Sequence, residues 1–150
     1  MYYINKRPIT SYIWVGLQFL SIGLLLYLGP ILAGNLLGLL SQAISLLLAS
    51  WAILEMRKSR ISVLPDLQSD AVLVTSGPYK LIRHPMYTSL LLLFAPTTIE
   101  QPSLIKYLIF SILMQVITLK AKYEETQLAK RFNQFAAYRK TSYIIIPFIW

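Results

Sequence analysis

The stretch that decides the fold is residues 8–54, which read PITSYIWVGLQFLSIGLLLYLGPILAGNLLGLLSQAISLLLASWAIL. None of these residues is charged, whereas one helix that crosses the hydrocarbon core of a bilayer needs only about 20 apolar residues. Proline and glycine interrupt the apolar pattern between Gly29 and Asn35, where one helix is expected to end and the next to begin. The sequence therefore predicts two transmembrane helices, near residues 11–29 and 36–54.

A second pair of apolar segments follows at residues 85–99 and 104–119. These segments are shorter, the second contains Lys106, and TTIEQPS between them has the composition of a turn. The predicted fold is all-α: a single polytopic membrane domain that covers residues 1–150. We expect about four transmembrane helices and a cytoplasmic C-terminal helix in the tail, residues 120–150.

The basic residues fall on one side of this arrangement. Of the 14 Lys and Arg residues, all except Lys106 lie in the segments 1–10, 55–84 and 120–150. Four spans place these segments on the same side, and Lys and Arg are retained on the cytoplasmic side of a membrane. We therefore expect a multi-pass protein of the plasma (inner) membrane with both termini in the cytoplasm. A cleaved signal peptide is the alternative, but the first apolar run is too long for one and lacks a small-x-small cleavage site.

Composition excludes several classes of site and partner. The chain has no cysteine and one histidine, so disulfides, thiolate metal sites and an all-protein zinc or iron site are not expected. The net charge of +8 comes from residues that flank the predicted spans. It therefore indicates contact with membrane lipids and no nucleic-acid partner.

Polar residues collect at the start of the third span, in GPYKLIRHPMY (residues 77–87). Pro85 suits the first turn of a helix, which places Arg83 and His84 at its N-terminus, where free N–H groups and the helix dipole favour an anion. The alternative is that Arg83 is a positive-inside anchor, that Tyr79 and Tyr87 are interfacial aromatics, and that His84 has only a capping role.

The tail predicts a helix from about Lys120 to Arg139. An apolar stripe runs along it at helical spacing, and Glu124 and Glu125 flank the stripe on either side. If the stripe packs against the protein, at least one of the two carboxylates faces inward, towards the basic central loop. The alternative is that both glutamates are solvated and make weak contacts with lysines one turn away. The terminal YIIIPFIW is too short for a span and is expected to lie at the interface or to pack on the bundle.

Taken together, GPYKLIRHPMYTSLLLL, a helical hairpin, EETQLAKRF and a tyrosine-rich tail resemble the isoprenylcysteine carboxyl methyltransferase and phospholipid methyltransferase families of integral membrane methyltransferases. The resemblance covers about residues 50–148. It implies that the last two spans and the tail close around S-adenosylmethionine without a Rossmann domain.

The resemblance also implies roles for individual residues. His84, Tyr87 and Glu125 are expected to contact the cofactor, and Tyr79 and Arg83 to shape the same pocket. Arg131 corresponds to a basic residue near the methyl acceptor and is the expected catalytic residue. S-adenosylmethionine carries an ammonium, a carboxylate and a sulfonium, so a site that combines an acidic group with His or Arg donors matches its chemistry.

The function expected from these features is transfer of a methyl group from S-adenosylmethionine to a lipophilic or isoprenylated acceptor at the cytoplasmic membrane interface. The expected acceptor is a lipid or a lipophilic small molecule. Two alternatives remain open: a membrane lipid reductase that uses a nicotinamide cofactor, and a non-enzymatic membrane scaffold whose basic loops contact anionic lipid.

Overall fold

The computed structural model describes residues 8–57, 59 and 71–146, and regular structure within these ranges is helical. In chain order the elements are α1 (Ile9–Leu28), α2 (Leu36–Met56), the 3₁₀ helix Gly77–Lys80, α3 (Pro85–Glu100), α4 (Leu104–Arg131) and α5 (Phe135–Lys140). The predicted all-α class is confirmed. Lys6, Arg7, most of the central basic loop and residues 147–150 of the tail lie outside the described residues.

Three of these helices, α1, α2 and α4, are long and apolar enough to cross a membrane. Many of their large apolar side chains are exposed, such as Leu37 and Leu47, as expected of a surface that faces lipid. Helix α3 has 16 residues, and at 1.5 Å per residue it is about 24 Å long, shorter than a typical hydrocarbon core of about 30 Å. The three long apolar helices are those of a membrane protein. The expected count of four crossings stays a prediction.

The helices pack as α2 on α3 and α1 on α4, and α3 also contacts α4. The main apolar core is formed by residues of α1, α3, α4 and the tail. They are Leu25, Phe94, Ile109, Leu113, Ile117, Ala121 and Ile145. Ile145 is 1% exposed, so the described part of the terminal apolar segment packs on the bundle.

Serines of α2 satisfy backbone groups of α3. Pro96 lacks the N–H that would donate to the carbonyl of Leu92, four residues earlier. The hydroxyl of Ser41 donates to that carbonyl at 3.0 Å, and the hydroxyl of Ser45 donates to the carbonyl of Ser89 at 2.7 Å. Because lipid offers no hydrogen bonds, such contacts hold a proline-containing helix inside the bundle.

The turn between α1 and α2 and the turn between α3 and α4 meet at one end of the bundle. Glu100 accepts a hydrogen bond from the backbone N–H of Gly34 at 2.5 Å, next to the N-terminus of α2. Lys106 is 6% exposed and donates to the side chain of Gln101 at 3.1 Å. The basic residue that departs from the one-sided charge pattern is therefore held inside the protein.

The tail differs from the predicted single helix over residues 120–139. Helix α4 continues without a break from the predicted span through Arg131, and the chain becomes extended at Phe132 (φ −117°, ψ 108°) before α5 begins at Phe135. The apolar run ends near residue 119, but the residues that follow are good helix formers, so the helix continues. Phe135 and Ala136, which the prediction placed on the apolar stripe, lie after the break, where Phe135 is buried and Ala136 is exposed, so the stripe does not continue along one helix.

Candidate functional site

A tight turn fixes the loop that leads into the site. Gly77 has φ +58°, and a Cβ atom there would lie 2.5 Å from Glu55 Cγ and 2.9 Å from Trp51 Nε1, so only glycine fits. The hydroxyl of Ser76 donates to Glu55 Oε2 at 2.5 Å. These contacts dock the 3₁₀ helix on the end of α2 and bury Tyr79.

Residues 141–146, here called the C-terminal segment, run alongside the approach to α3. The backbone N–H of Arg83 donates to the carbonyl of Tyr143 at 2.7 Å, and the N–H of Tyr143 donates to the carbonyl of Leu81 at 2.8 Å. The N–H of His84 donates to the carbonyl of Ile144 at 3.1 Å. This short parallel pairing positions the side chains of Arg83 and His84 between α3 and α4.

Tyr79 and Tyr138 link the loop to α5. Tyr79 is 4% exposed, and its carbonyl accepts a hydrogen bond from the hydroxyl of Tyr138 at 2.5 Å. Burial raises the pKa of Tyr79 well above its usual value, with a further contribution from the charge of Glu124, and burial raises the pKa of Tyr138 to about 12. Both phenols therefore stay protonated at neutral pH, and the hydroxyl of Tyr138 acts as a hydrogen-bond donor.

The centre of the site is a cluster of five polar side chains from the start of α3 and the C-terminal half of α4. Arg83 Nε lies 2.6 Å from Glu125 Oε1, and His84 Nδ1 lies 3.1 Å from Glu124 Oε2. The hydroxyl of Tyr87 donates to Glu124 Oε1 at 2.5 Å, and the Tyr87 ring stacks on the His84 ring with centroids 5.5 Å apart. Each carboxylate of α4 thus has a partner at or just before the start of α3.

Arg83 joins three parts of the chain. Besides its pair with Glu125, its Nη1 donates to the carbonyl and to the hydroxyl of Ser142, the latter at 3.2 Å, and to the carbonyl of Arg139 at 3.2 Å. The side chain of Arg83 is 5% exposed. Its planar guanidinium can make all these bonds at once, so Arg83 ties α4 and the end of α5 to the start of α3.

His84 keeps one ring nitrogen for another partner. Its side chain is 7% exposed, and within the described residues Nε2 has no hydrogen-bond partner, although Glu125 Oε1 lies 3.7 Å away. Burial lowers the pKa of His84, but the carboxylates of Glu124 and Glu125 together outweigh burial and raise the pKa above its usual value of 6.5. A buried, charged or chargeable group with an unused polar atom is the kind of group that binds a ligand.

Among the residues that the structure describes, two adjoining grooves open beside the cluster. The first, of about 590 Å³, is lined by Lys122, Glu125, Thr126, Ala129, Lys130, Arg139 and Ile144. The second, of about 430 Å³, is lined by Ala129, Phe132, Asn133, Phe135, Ala136, Arg139 and Lys140. Ala129 and Arg139 line both, so the first groove offers charged groups and the second offers more apolar surface on the far side of Arg139.

The residues predicted from the sequence are brought together, with one exception. Arg83, His84, Tyr87 and Glu125 contact one another directly or through Glu124. Tyr79 is linked to Arg83 indirectly, through Tyr138 and Ser142. Arg131 is exposed at the end of α4, with its guanidinium 5.7 Å from the ring centre of Phe132. It is not among the residues that line either groove.

Sequence reasoning missed three contributors to the site. Glu124 was predicted to flank the apolar stripe beside Glu125 but was assigned no cofactor contact, yet it holds both His84 and Tyr87. Arg139 approaches Glu125 Oε2 at 3.7 Å through its Nε, with a side chain that is 63% exposed, and no sequence motif indicated it. Lys120 was predicted to begin the tail helix and, in the alternative interpretation, to make a weak contact with Glu124, but it is 1% exposed and lies over the Tyr87 ring.

The chain belongs to the phospholipid methyltransferase family, whose family model matches residues 33–134. The matched region includes α2, α3, α4 and all five side chains of the cluster, whereas α1, α5 and the C-terminal segment lie outside it. No curated protein and no solved structure matches the chain. The family and the three long apolar helices together define a membrane methyltransferase.

Proposed function

We propose that this protein transfers a methyl group from S-adenosylmethionine to a lipophilic or isoprenylated acceptor at the cytoplasmic face of the membrane. The observation that carries the proposal is the cluster of Arg83, His84, Tyr87, Glu124 and Glu125 beside a groove, within the region that matches a methyltransferase family. The family supplies the reaction class, and the side chains supply the fit to the cofactor.

The charges of the site fit the amino-acid part of S-adenosylmethionine. Glu125 uses Oε1 for Arg83, while its second oxygen, Oε2, is on the side of Arg139 and is suited to an ammonium. The unused Nε2 of His84 and the exposed guanidinium of Arg139 are suited to a carboxylate. The residues present therefore fit the cofactor, because Glu125 and Arg139, which both line the first groove, supply an acid and a base.

The protein's part in the reaction is to bind, align and exclude water. Bound S-adenosylmethionine supplies a methyl group that is already activated on a sulfonium. The buried pairs of Arg83 with Glu125 and of His84 with Glu124 fix the binding groups before a ligand arrives, which lowers the ordering cost of binding. The groove beyond Arg139, with Phe132 and Phe135, is suited to the apolar part of an acceptor.

The location of the site supports a reaction at the interface. The cluster lies at the start of α3 and beyond the apolar part of α4, next to basic side chains of the tail. A charged cofactor arrives from water, whereas a lipid-tailed acceptor can enter sideways from the bilayer. Both can meet only at a membrane boundary.

Cofactor binding by the purified protein tests the proposal against the reductase and scaffold alternatives. We expect calorimetry in detergent to show binding of S-adenosylmethionine and none of NADPH. Binding of NADPH alone would favour a reductase, and binding of neither would favour a scaffold.

The proposed topology has both termini and the site in the cytoplasm, because Lys and Arg flank that side. We expect a reporter fused after Trp150 to register in the cytoplasm and one inserted after Gln101 to register on the other side. A reporter after Trp150 that registers outside the cytoplasm would overturn the topology.

The acceptor role proposed for Arg131 predicts that Arg131→Ala lowers turnover about tenfold or more and leaves cofactor affinity within about twofold of the unmodified protein, because Arg131 lies beyond the groove at Glu125. The measurement is transfer of labelled methyl into a total membrane lipid extract, beside cofactor binding. Arg57→Ala, which removes an exposed cation at the end of α2, is the control. Equal losses of affinity and turnover in Arg131→Ala would contradict an acceptor role.

A further inference from the structure

Arg139 lies where the two grooves adjoin and lines both of them. Its Nε is 3.7 Å from Glu125 Oε2, a distance that allows an ion pair but is too long for a hydrogen bond. The side chain of Arg139 is 63% exposed, whereas that of Glu125 is 8% exposed. This ion pair therefore joins a fixed, buried carboxylate to a guanidinium that is mostly in water.

The other basic partners of Glu125 in the described part of the chain are held differently. Arg83 and His84 have side chains that are 5% and 7% exposed, and both approach Oε1. Arg139 approaches Oε2 from the groove. Since an exposed ion pair contributes little stability, Arg139 is the partner of Glu125 that a ligand displaces at the lowest cost.

The backbone of Arg139 is fixed independently of its side chain. Its carbonyl accepts a hydrogen bond from Arg83 Nη1 at 3.2 Å, and the residue lies in the last turn of α5. An arginine side chain has several rotatable bonds, so its guanidinium can change partner while the backbone stays in place. The guanidinium therefore has a choice between Glu125 and a group that enters the groove.

The amino-acid end of S-adenosylmethionine carries two charges that affect this choice. Its ammonium is suited to Glu125 Oε2, but two cations that share one carboxylate oxygen repel each other. A ligand with a carboxylate beside its ammonium offers Arg139 a new, charge-assisted partner in exchange for Glu125. A ligand with an ammonium alone has to displace Arg139 without offering a partner, which disfavours its binding.

We propose that Arg139 is a specificity-determining residue, which favours ligands that carry a carboxylate beside their ammonium over ligands that carry an ammonium alone. Arg139 exchanges Glu125 for the carboxylate of the ligand. This inference rests on the function proposed for the site and adds a selection between the cofactor and its analogues. Arg139 lies beyond the matched residues 33–134, so membership of the family assigns it no role.

Decarboxylated S-adenosylmethionine tests this selection, because it keeps the ammonium and the sulfonium and lacks the carboxylate. We expect calorimetry in detergent to show that the unmodified protein prefers S-adenosylmethionine by about thirtyfold or more. Arg139→Gln removes the guanidinium and keeps the carbonyl that Arg83 uses. It is expected to weaken binding of S-adenosylmethionine about tenfold, because a charge-assisted pair is lost. Binding of the decarboxylated compound is expected to strengthen about twofold to threefold, because the competing cation is gone.

Two further variants separate the guanidinium from charge in general. Arg139→Lys keeps a cation beside Glu125 and is expected to keep part of the preference, because an ammonium pairs with a carboxylate as a point charge and not as a fork. Arg57→Gln is the matched control, since it makes the same change at an exposed arginine that lines neither groove. We expect it to leave both affinities unchanged.

The ratio of the two affinities in folded Arg139→Gln protein, checked by its melting temperature, decides the outcome. A preference as large as that of the unmodified protein, or equal weakening of both ligands, would overturn the role of Arg139 and leave the proposed function in place. If the unmodified protein does not bind S-adenosylmethionine, the proposed function is overturned and this inference with it.

Discussion

Glu125→Gln is expected to weaken S-adenosylmethionine binding by thirtyfold or more, or roughly 2 to 4 kcal/mol, because it removes the charge that faces the cofactor ammonium. The substituted side chain keeps an amide oxygen that can still accept the hydrogen bond of Arg83, which is made to Oε1 in the unmodified protein. Arg83 also retains its bonds to the carbonyls of Arg139 and Ser142. The fold should therefore survive while the charge is lost, and calorimetry in detergent measures the affinity.

Glu100→Gln is the matched control, because it makes the same chemical change at the opposite end of the bundle. Glu100 accepts a hydrogen bond from the N–H of Gly34 and does not line either groove. We expect some loss of thermal stability and unchanged cofactor affinity. Retained affinity in a folded Glu125→Gln protein would remove this residue from the site, and comparable damage from Glu100→Gln would show that affinity responds to general loosening of the bundle.

The helices could be predicted from the sequence where hydrophobicity alone sets their limits. Charge-free runs locate α1 and α2, and Pro85 marks the start of α3. The length of α4 could not be predicted in this way, because Lys120 to Arg131 is polar yet strongly helix-forming, so the helix outlasts the apolar segment. Hydropathy indicates where a membrane begins, and a helix can continue beyond that point.

The members of the site could be predicted more fully than their contacts. The sequence placed His84 and Glu125 in one pocket through a resemblance, and the structure brings them to 3.7 Å. It could not indicate that Arg83 would be engaged by Glu125, or that Glu124 would hold His84, because both pairs depend on how α3 docks on α4. Arg139 enters the site only because the helix breaks near Phe132 and turns α5 back, and no local pattern predicted that turn.

Arg83→Met is expected to cost about 3 kcal/mol of stability, near the lower end of what loss of one partner of a buried ion pair costs. The lower value is expected because His84 and Arg139 remain near the carboxylate of Glu125. The loss of stability should be concentrated in the C-terminal segment, since Arg83 is bonded to the carbonyls of Arg139 and Ser142. The C-terminal segment should open more often, and about 3 kcal/mol corresponds to roughly a hundredfold larger open population.

Limited trypsin digestion measures that opening, because cleavage after Arg139 and Lys140 requires the backbone of α5 to leave its place. We expect much faster cleavage at these sites in Arg83→Met, beside a lower melting temperature. Arg83→Lys should restore little, because one ammonium cannot pair with Glu125 and also reach both carbonyls as a planar guanidinium does. Lys80→Met removes an exposed cation from the same loop and should leave cleavage unchanged. Equal cleavage in Arg83→Met and Lys80→Met would show that Arg83 does not hold the segment, and that the backbone pairing of Tyr143 with Leu81 and Arg83 is enough to keep it closed.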